Sequence, residues 1–506
     1  MTRPLAVLVF CTAVLVGCAV GPNYQRPPAP VPERFKEADG WKPAEPREAA
    51  SGSPWWSVFD DPVLDDLEKQ VEISNQTLKV SEAAWRQAVA LANAAGATLW
   101  PTLDINASAT RSDAAASAAQ TETGNSFNSA RQRPAPLNVF SLAAGASWDL
   151  DVWGKIRRTI ESDVANAKAS EADLAAARLS AQATLATDYV LLRVNDEQKH
   201  LLDETIEAYR RAFEITANQY KAGIVAKADV ITAKTQLQGA QSQAIGVGVQ
   251  RSQLEHAIAV LIGKPPAELT IAPASLGAAI PVAPTGVPST LLERRPDIAE
   301  AERHMAAANA QIGIALAAYF PDLTLNGSYG FTNTALSGLV SAPNTAWSFG
   351  GTAAATVLDF GARKYQVRAA RAAYDSTVAS YRQTVLNAFQ EVEDPLAALR
   401  ILEEQTQVAQ QTVESANEAV RLTLNQYKAG TVAYTTVVSA QTIALADAQS
   451  LLAIRQQRLT ASIALIHALG GGWSSVGMDL ADKEGRMSKA GRAQQKHGDR
   501  PDSAFD

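Results

Sequence analysis

The chain has 506 residues, with Lys+Arg 45 against Asp+Glu 52 for a formal net charge of −7. It has no long block of like charge, so nucleic acid is not an expected partner. The histidines His200, His256, His304, His467 and His497 are scattered without metal-ligand spacing, no CxxC occurs, and GVG at 246–248 lacks the third glycine of a nucleotide fingerprint.

The chain opens MTRPLAVLVFCTAVLVGCAVGPNY. One basic residue, Arg3, precedes the apolar run Leu5–Val16, which is too short and wrongly flanked for a spanning helix. Residues 1–17 are therefore expected to be an export signal. The run ends LVGC, which resembles a bacterial lipobox, with Cys18 acylated as the new N-terminus. An ordinary signal peptide cleaved elsewhere would leave Cys18 incidental. Cys11 would leave with the signal, so no disulfide is expected in the mature chain. A covalent lipid on Cys18 is the only non-protein group expected, with no cofactor and no metal. Ala19 stands where an aspartate would favour inner-membrane retention, which points to the outer membrane. Residues 18–60, rich in proline and charge, are expected to be an extended arm between lipid and body.

The body reads as a duplication, with a first repeat over 61–270, a linker over 271–287 and a second repeat over 288–470. A helix is expected around Asp61–Thr98, ending at Trp100-Pro101; its counterpart ends at Phe320-Pro321, because proline cannot continue a helix. The period then changes to two. Leu103, Ile105, Ala107 and Ala109 alternate with polar residues, as do Leu323, Leu325, Tyr329 and Phe331. A second alternating run follows in each half: Phe140, Leu142, Ala144, Ala146, Trp148 and Leu150, then Trp347, Phe349, Gly351, Ala353, Ala355 and Val357. Each half next turns at an Asp followed by Gly, in DVWGKIRR (151–158) and DFGARKYQVRAA (359–370), into a very long helix. No Gly or Pro occurs from Lys155 to Ala222, and only Pro395 interrupts Ala362–Ala429. Such a helix reaches roughly 100 Å, so the molecule is expected to be elongated. Both long helices end in NQYKAG, at 218–223 and 425–430, where a glycine reverses the chain into a return helix.

Strands of this length suit a membrane strand, and aromatic residues lie near their ends. Four strands cannot close a barrel, and an open edge in lipid leaves backbone groups unpaired. Two or three copies must then combine, unless the strands are soluble periplasmic hairpins. Before the first tip, Leu202, Ile206, Tyr209, Phe213, Thr216 and Tyr220 form a heptad seam. Its counterpart is Ala409, Val413, Ala416, Val420, Thr423 and Tyr427, with smaller residues at four positions, so the two coils are expected to meet different environments.

The lipobox, PWWSVFDDPVLDDL (54–67), ERRPDIAEAE (293–302), AYFPDLTLNGSYG (318–330) and the paired QYKAG tips together resemble the outer-membrane efflux factor family. This is the TolC-like family, and the likeness is to its lipoprotein branch of OprM and NodT type. The resemblance implies a mixed fold of α-helix and membrane β-strand, with four strands per chain in a trimeric 12-stranded barrel and long periplasmic coiled-coil helices. It implies no enzyme but an exit duct of a tripartite efflux system in the outer membrane of a Gram-negative bacterium. The partners are then two further copies, a periplasmic adaptor, an inner-membrane RND-type pump and outer-membrane lipid. Small-molecule cargo is favoured, with type I protein secretion or metal-ion efflux as alternatives. Tyr220, Gly223, Tyr427 and Gly430 would form the periplasmic tip turns. Asp229 and Tyr434 fit the family's aperture positions, whereas Thr436 and Ser439 replace acidic ones, leaving one acidic ring where more are common. The second hairpin is expected to move on opening. A periplasmic adaptor would carry one helical hairpin rather than two in tandem, and a lipid-anchored enzyme would need a catalytic constellation. Residues 471–506 are polar and expected to be a disordered tail.

Overall fold

The computed structural model describes residues 19–29, 31–32, 34–37, 54–112, 136–276, 294–471 and 473. Cys18 and the signal segment, most of the linker and nearly all of the tail lie outside the described residues.

In chain order a short 3-10 turn, Trp55–Phe59, leads into α1 (Pro62–Ser74) and α2 (Gln76–Ala97), then β1 (Thr102–Ser112) and β2 (Leu137–Leu150). The helices α3 (Lys155–Lys221) and α4 (Lys227–Leu261) complete the first half. The second half comprises α5 (Pro296–Ala317), β3 (Asp322–Asn333), β4 (Thr345–Ala354), α6 (Ala362–Lys428) and α7 (Tyr434–Ala468). The duplication survives to the residue: α3 and α6 are each 67 residues long, and α4 and α7 each 35. Pro395 lies inside α6, which continues through it.

The helix expected over Asp61–Thr98 is two helices. Asn75 takes an extended conformation between them. Its carbonyl oxygen accepts from Leu78 N–H at 3.0 Å and its amide donates to Leu261 O at 2.7 Å. The same side chain thus caps α2 and closes the C-terminus of α4. Arg295 does the matching work in the second half, donating to Ala468 O at 3.0 Å while pairing with Asp297 and Glu391. The turns into the long helices are built on aspartate. Asp151 accepts from the amides of Ile156 and Arg157, both at 2.9 Å, and Asp359 from those of Gly361 and Arg363.

The four strands form one antiparallel sheet in the order β1-β2-β3-β4. The central pairing joins the two repeats, running from Phe140↔Asn333 to Leu150↔Leu323. Strand β4 stops at Ala354, opposite Asp322, because the preceding Pro321 ends β3 and has no N–H for a ladder. The alternation expected through Ala355 and Val357 is therefore not strand, and Val357 is 95% exposed.

Contacts divide the chain into two compact units that cut across the repeats. One holds the segment ending at Arg26 with Arg86–Lys168 and Arg303–Ala379, including the sheet; the other holds Pro27–Trp85, Ala169–Glu302 and the segment from Ser380. The core of the second unit joins Leu64, Leu67 and Val71 of α1 to Leu185, Tyr189 and Leu192 of α3 and Ile258 of α4. Glu68 lies in the same α1 stripe, fully buried, and among the described residues neither carboxylate oxygen has a hydrogen-bond partner. Burial, with Glu72 adding repulsion, pushes its carboxyl up to about 9, so it is a neutral acid at pH 7. The arm is docked at Phe35–Glu37: Phe35 is buried edge-on against Phe389, and the amides of Lys36 and Glu37 donate to the Glu393 carboxylate. Among the described residues α7 alone is long and apolar enough to cross a membrane, but Tyr434, Val437, Leu459 and Ile463 place it in the helical core.

Candidate functional site

Two features of the fold stand out as candidate sites, one in each unit. The first is the sheet. Alternate residues of a strand face opposite ways, so the register sorts its side chains into two faces. Leu103, Ile105 and Ala107 of β1 align with Ala146, Ala144 and Leu142 of β2, and these with Gly327, Tyr329 and Phe331 of β3. Tyr329 in turn meets Trp347 of β4, and Gly327 meets Phe349. This face is apolar and aromatic, and Ile105, Trp347 and Phe349 are 74% exposed or more. The other face carries Thr102, Asp104, Asn106 and Ser108 beside Ser147 and Ser141, then Asn326 and Ser328 beside Ser348. Its hydroxyls link across strands, Ser108 to Ser141 at 2.7 Å and Ser328 to Ser348 at 2.8 Å. Among the described residues the outer edges of β1 and β4 have no strand partner.

The second feature is the pair of helical tips. In each, the hydrogen bonds are the same: Gly223 N–H donates to Tyr220 O and Ile224 N–H to Gln219 O, as Gly430 does to Tyr427 O and Thr431 to Gln426 O. Both glycines have φ +74 with open space around them. The left-handed backbone, not crowding, demands glycine there.

Beyond the turns the copies diverge. Tyr434 opens α7 with its side chain only 1% exposed, whereas the corresponding Lys227 of α4 is exposed. Tyr427 is 3% exposed, whereas Tyr220 is 43% exposed, so the first seam ends at Thr216 rather than Tyr220. The Tyr427 and Tyr434 rings lie 5.2 Å apart, in a cluster with Ala212, Ala233 and Val437 that joins the two hairpins. Three polar links cross the same boundary: Tyr427 Oη to Thr216 Oγ1 at 3.3 Å, Tyr209 Oη to Gln441 O at 3.4 Å, and Gln236 Nε2 to Thr442 Oγ1 at 3.1 Å. Burial pushes the Tyr434 phenol up to about 12, with Tyr427, Tyr209 and Asp229 contributing. Burial also raises the Tyr427 phenol, and Asp229 adds to the shift. Of the residues singled out in the sequence, Asp229, Tyr427 and Tyr434 are thus one electrostatic group. Thr436 and Ser439 lie on the exposed surface of α7. Sequence reasoning missed Gln236 and Thr442, because Gln236 lies just beyond the shared phrase with an apolar counterpart, Ile443, and Thr442 matches Thr235 and so shows no difference between the copies.

An antiparallel sheet with one apolar and one polar face, carried on long helical hairpins, defines a membrane-inserted channel protein. The family model described as outer membrane efflux protein matches residues 67–264 and 287–471. The chain belongs to that family, and its place is the outer membrane, with its helices in the periplasm. It is 30% identical over 477 residues to the probable efflux pump outer membrane protein TtgC of Pseudomonas putida, covering 94% of this chain and 96% of the relative. It is likewise 30% identical over 473 residues to nodulation protein T of Rhizobium leguminosarum, covering 92% and 97%. Among solved structures, the outer-membrane channel OprN matches with TM-score 0.82 at 29% identity, over 90% of this chain and 100% of that one. The open state of the MtrE outer membrane channel of Neisseria gonorrhoeae matches with TM-score 0.76 at 26% identity, over 90% and 98%.

Proposed function

We propose that three copies of the chain close their sheets into one barrel, so that the apolar faces meet lipid and the polar faces line a water-filled lumen. The observation that carries this is the continuous two-faced register with both outer edges unpaired, since an open edge in hydrocarbon costs several kcal/mol per group. The channel is then a passive exit duct, catalysing nothing, fed by an inner-membrane RND-type pump through a periplasmic adaptor. Small organic molecules are the cargo, a reading supported by the similarity to the toluene efflux pump outer membrane protein TtgC of P. putida. Acylation of Cys18 adds an anchor to the outer membrane.

The tips form the inner aperture. In the resting state the second hairpin is held to the first by the Tyr427–Tyr434 cluster and its polar links, and opening swings the second hairpin away. Asp229 supplies the acidic group beside this cluster, while Thr436 and Ser439 offer hydroxyls where charge would otherwise stand. Cysteine pairs scanned along β1 and β4 test the assembly. Oxidation is expected to yield a covalent three-chain band for at least one register; monomer alone at every register contradicts the closed barrel.

A further inference from the structure

The residues directly after Cys18 are seated in a built cradle. Val20 N–H donates to Trp153 O at 3.0 Å. Arg158, 3% exposed at the start of α3, donates to Val20 O and Gly21 O, both at 3.2 Å, and to Asn23 Oδ1 at 3.0 Å. Asn309 of α5, 5% exposed, donates to Pro22 O at 3.0 Å. Three successive arm carbonyls are therefore satisfied by two buried side chains. The fit is close: a Cβ on Gly21, which has φ +103, would lie 2.6 Å from Gly313 Cα. The cradle sits where helix passes into sheet, since Trp153 stacks on Phe320 at 4.7 Å and donates to Pro321 O at 2.8 Å. Buried hydrogen-bonding groups of this kind are held by matched partners, and an unrelated segment would leave them unsatisfied.

We infer that this cradle is a positioning site for the lipid anchor, with Arg158 as its positioning residue. It fixes the residue after the acylated terminus at the helix–sheet junction, so the acyl chains enter the bilayer at one defined level beside the strands. Tryptophan favours the membrane interface, and Trp153, stacked on Phe320, marks that level. The inference rests on the acylation of Cys18 proposed above.

The test uses the full-length protein expressed with labelled palmitate, extracted in detergent and followed by hydrogen exchange over residues 19–26. Wild type is expected to carry label and to protect the Val20 amide. Arg158→Ala and, from the arm side alone, Gly21→Val should keep the label but speed exchange there by about tenfold or more, with Arg158→Lys between. Because Gly21→Val alters the arm and none of the cradle's own residues, it decides the matter even where Arg158→Ala fails to fold. Free exchange of the arm in labelled wild type overturns the cradle. A protected arm without label overturns the anchor reading and leaves only a structural strap.

Discussion

The hydroxyl of Tyr427 in α6 donates to Thr216 Oγ1 in α3 at 3.3 Å, and the Thr216 hydroxyl in turn donates to Ala212 O at 2.9 Å. Both residues are buried, so water does not replace the bond when it is lost. Tyr427→Phe keeps the ring against Tyr434 and removes only the link, at a cost of about 1 kcal/mol. Single-channel recordings should then show the larger-conductance state several-fold more often. Tyr220→Phe, at the exposed counterpart, should be silent. Equal behaviour of the two variants would remove the link from the gate.

Asp229 stands beside the two buried phenols, and its counterpart in the other hairpin is Thr436. A charged ring in a narrow pore sets ion preference and influences closure. Asp229→Ala is expected to raise conductance and weaken cation preference more than Ser439→Ala, whose side chain is already exposed. Unchanged reversal potentials and conductance for Asp229→Ala would place that residue away from the aperture.

The buried acid Glu68 makes stability depend on pH. Its folded value of about 9 lies above the ordinary carboxyl value of 4.5, so the folded state binds the extra proton between them. The contribution is fully present below pH 4.5 and is lost as pH rises toward 9, with a limiting slope of about 1.4 kcal/mol per pH unit. Glu68→Gln should therefore raise the thermal transition more at pH 8 than at pH 5. A gain independent of pH would show that Glu68 finds a partner in the assembled protein.

Much of this architecture is legible in the sequence because its signals are local. The aromatic-Pro stops, the period-two runs of β1 to β3 and the paired NQYKAG turns each depend on neighbours within a few residues. What escaped depends on distant partners. Asn75 reads as mid-helix until Leu261 O supplies its second hydrogen bond. Tyr220 and Tyr427 have the same neighbours in sequence but opposite burial, because tertiary packing chooses which face of a long helix is covered. Glu68 had a usable signal, since it falls between Leu67 and Val71 on the apolar stripe of α1. The cradle around Val20 and Gly21 left no periodicity at all, and Arg158 reads as an ordinary helix charge.

The two faces of the sheet give a sharp contrast at adjacent positions. Ala107 belongs to the apolar face and Ser108 to the polar one. Arginine at a lipid-facing site costs about 2–4 kcal/mol near the bilayer midplane, whereas lumen sites tolerate it. Ala107→Arg should abolish the heat-modifiable oligomer on gels, while Ser108→Arg should assemble and shift ion selectivity toward anions. Assembly of both variants to the same extent would contradict the assignment of faces.

The most direct test of the account is native mass spectrometry of the detergent-extracted, full-length expressed protein. A single species of three chains is expected, because only joined edges satisfy the backbone of β1 and β4 in the membrane. A particle of one or two chains that still conducts would contradict it.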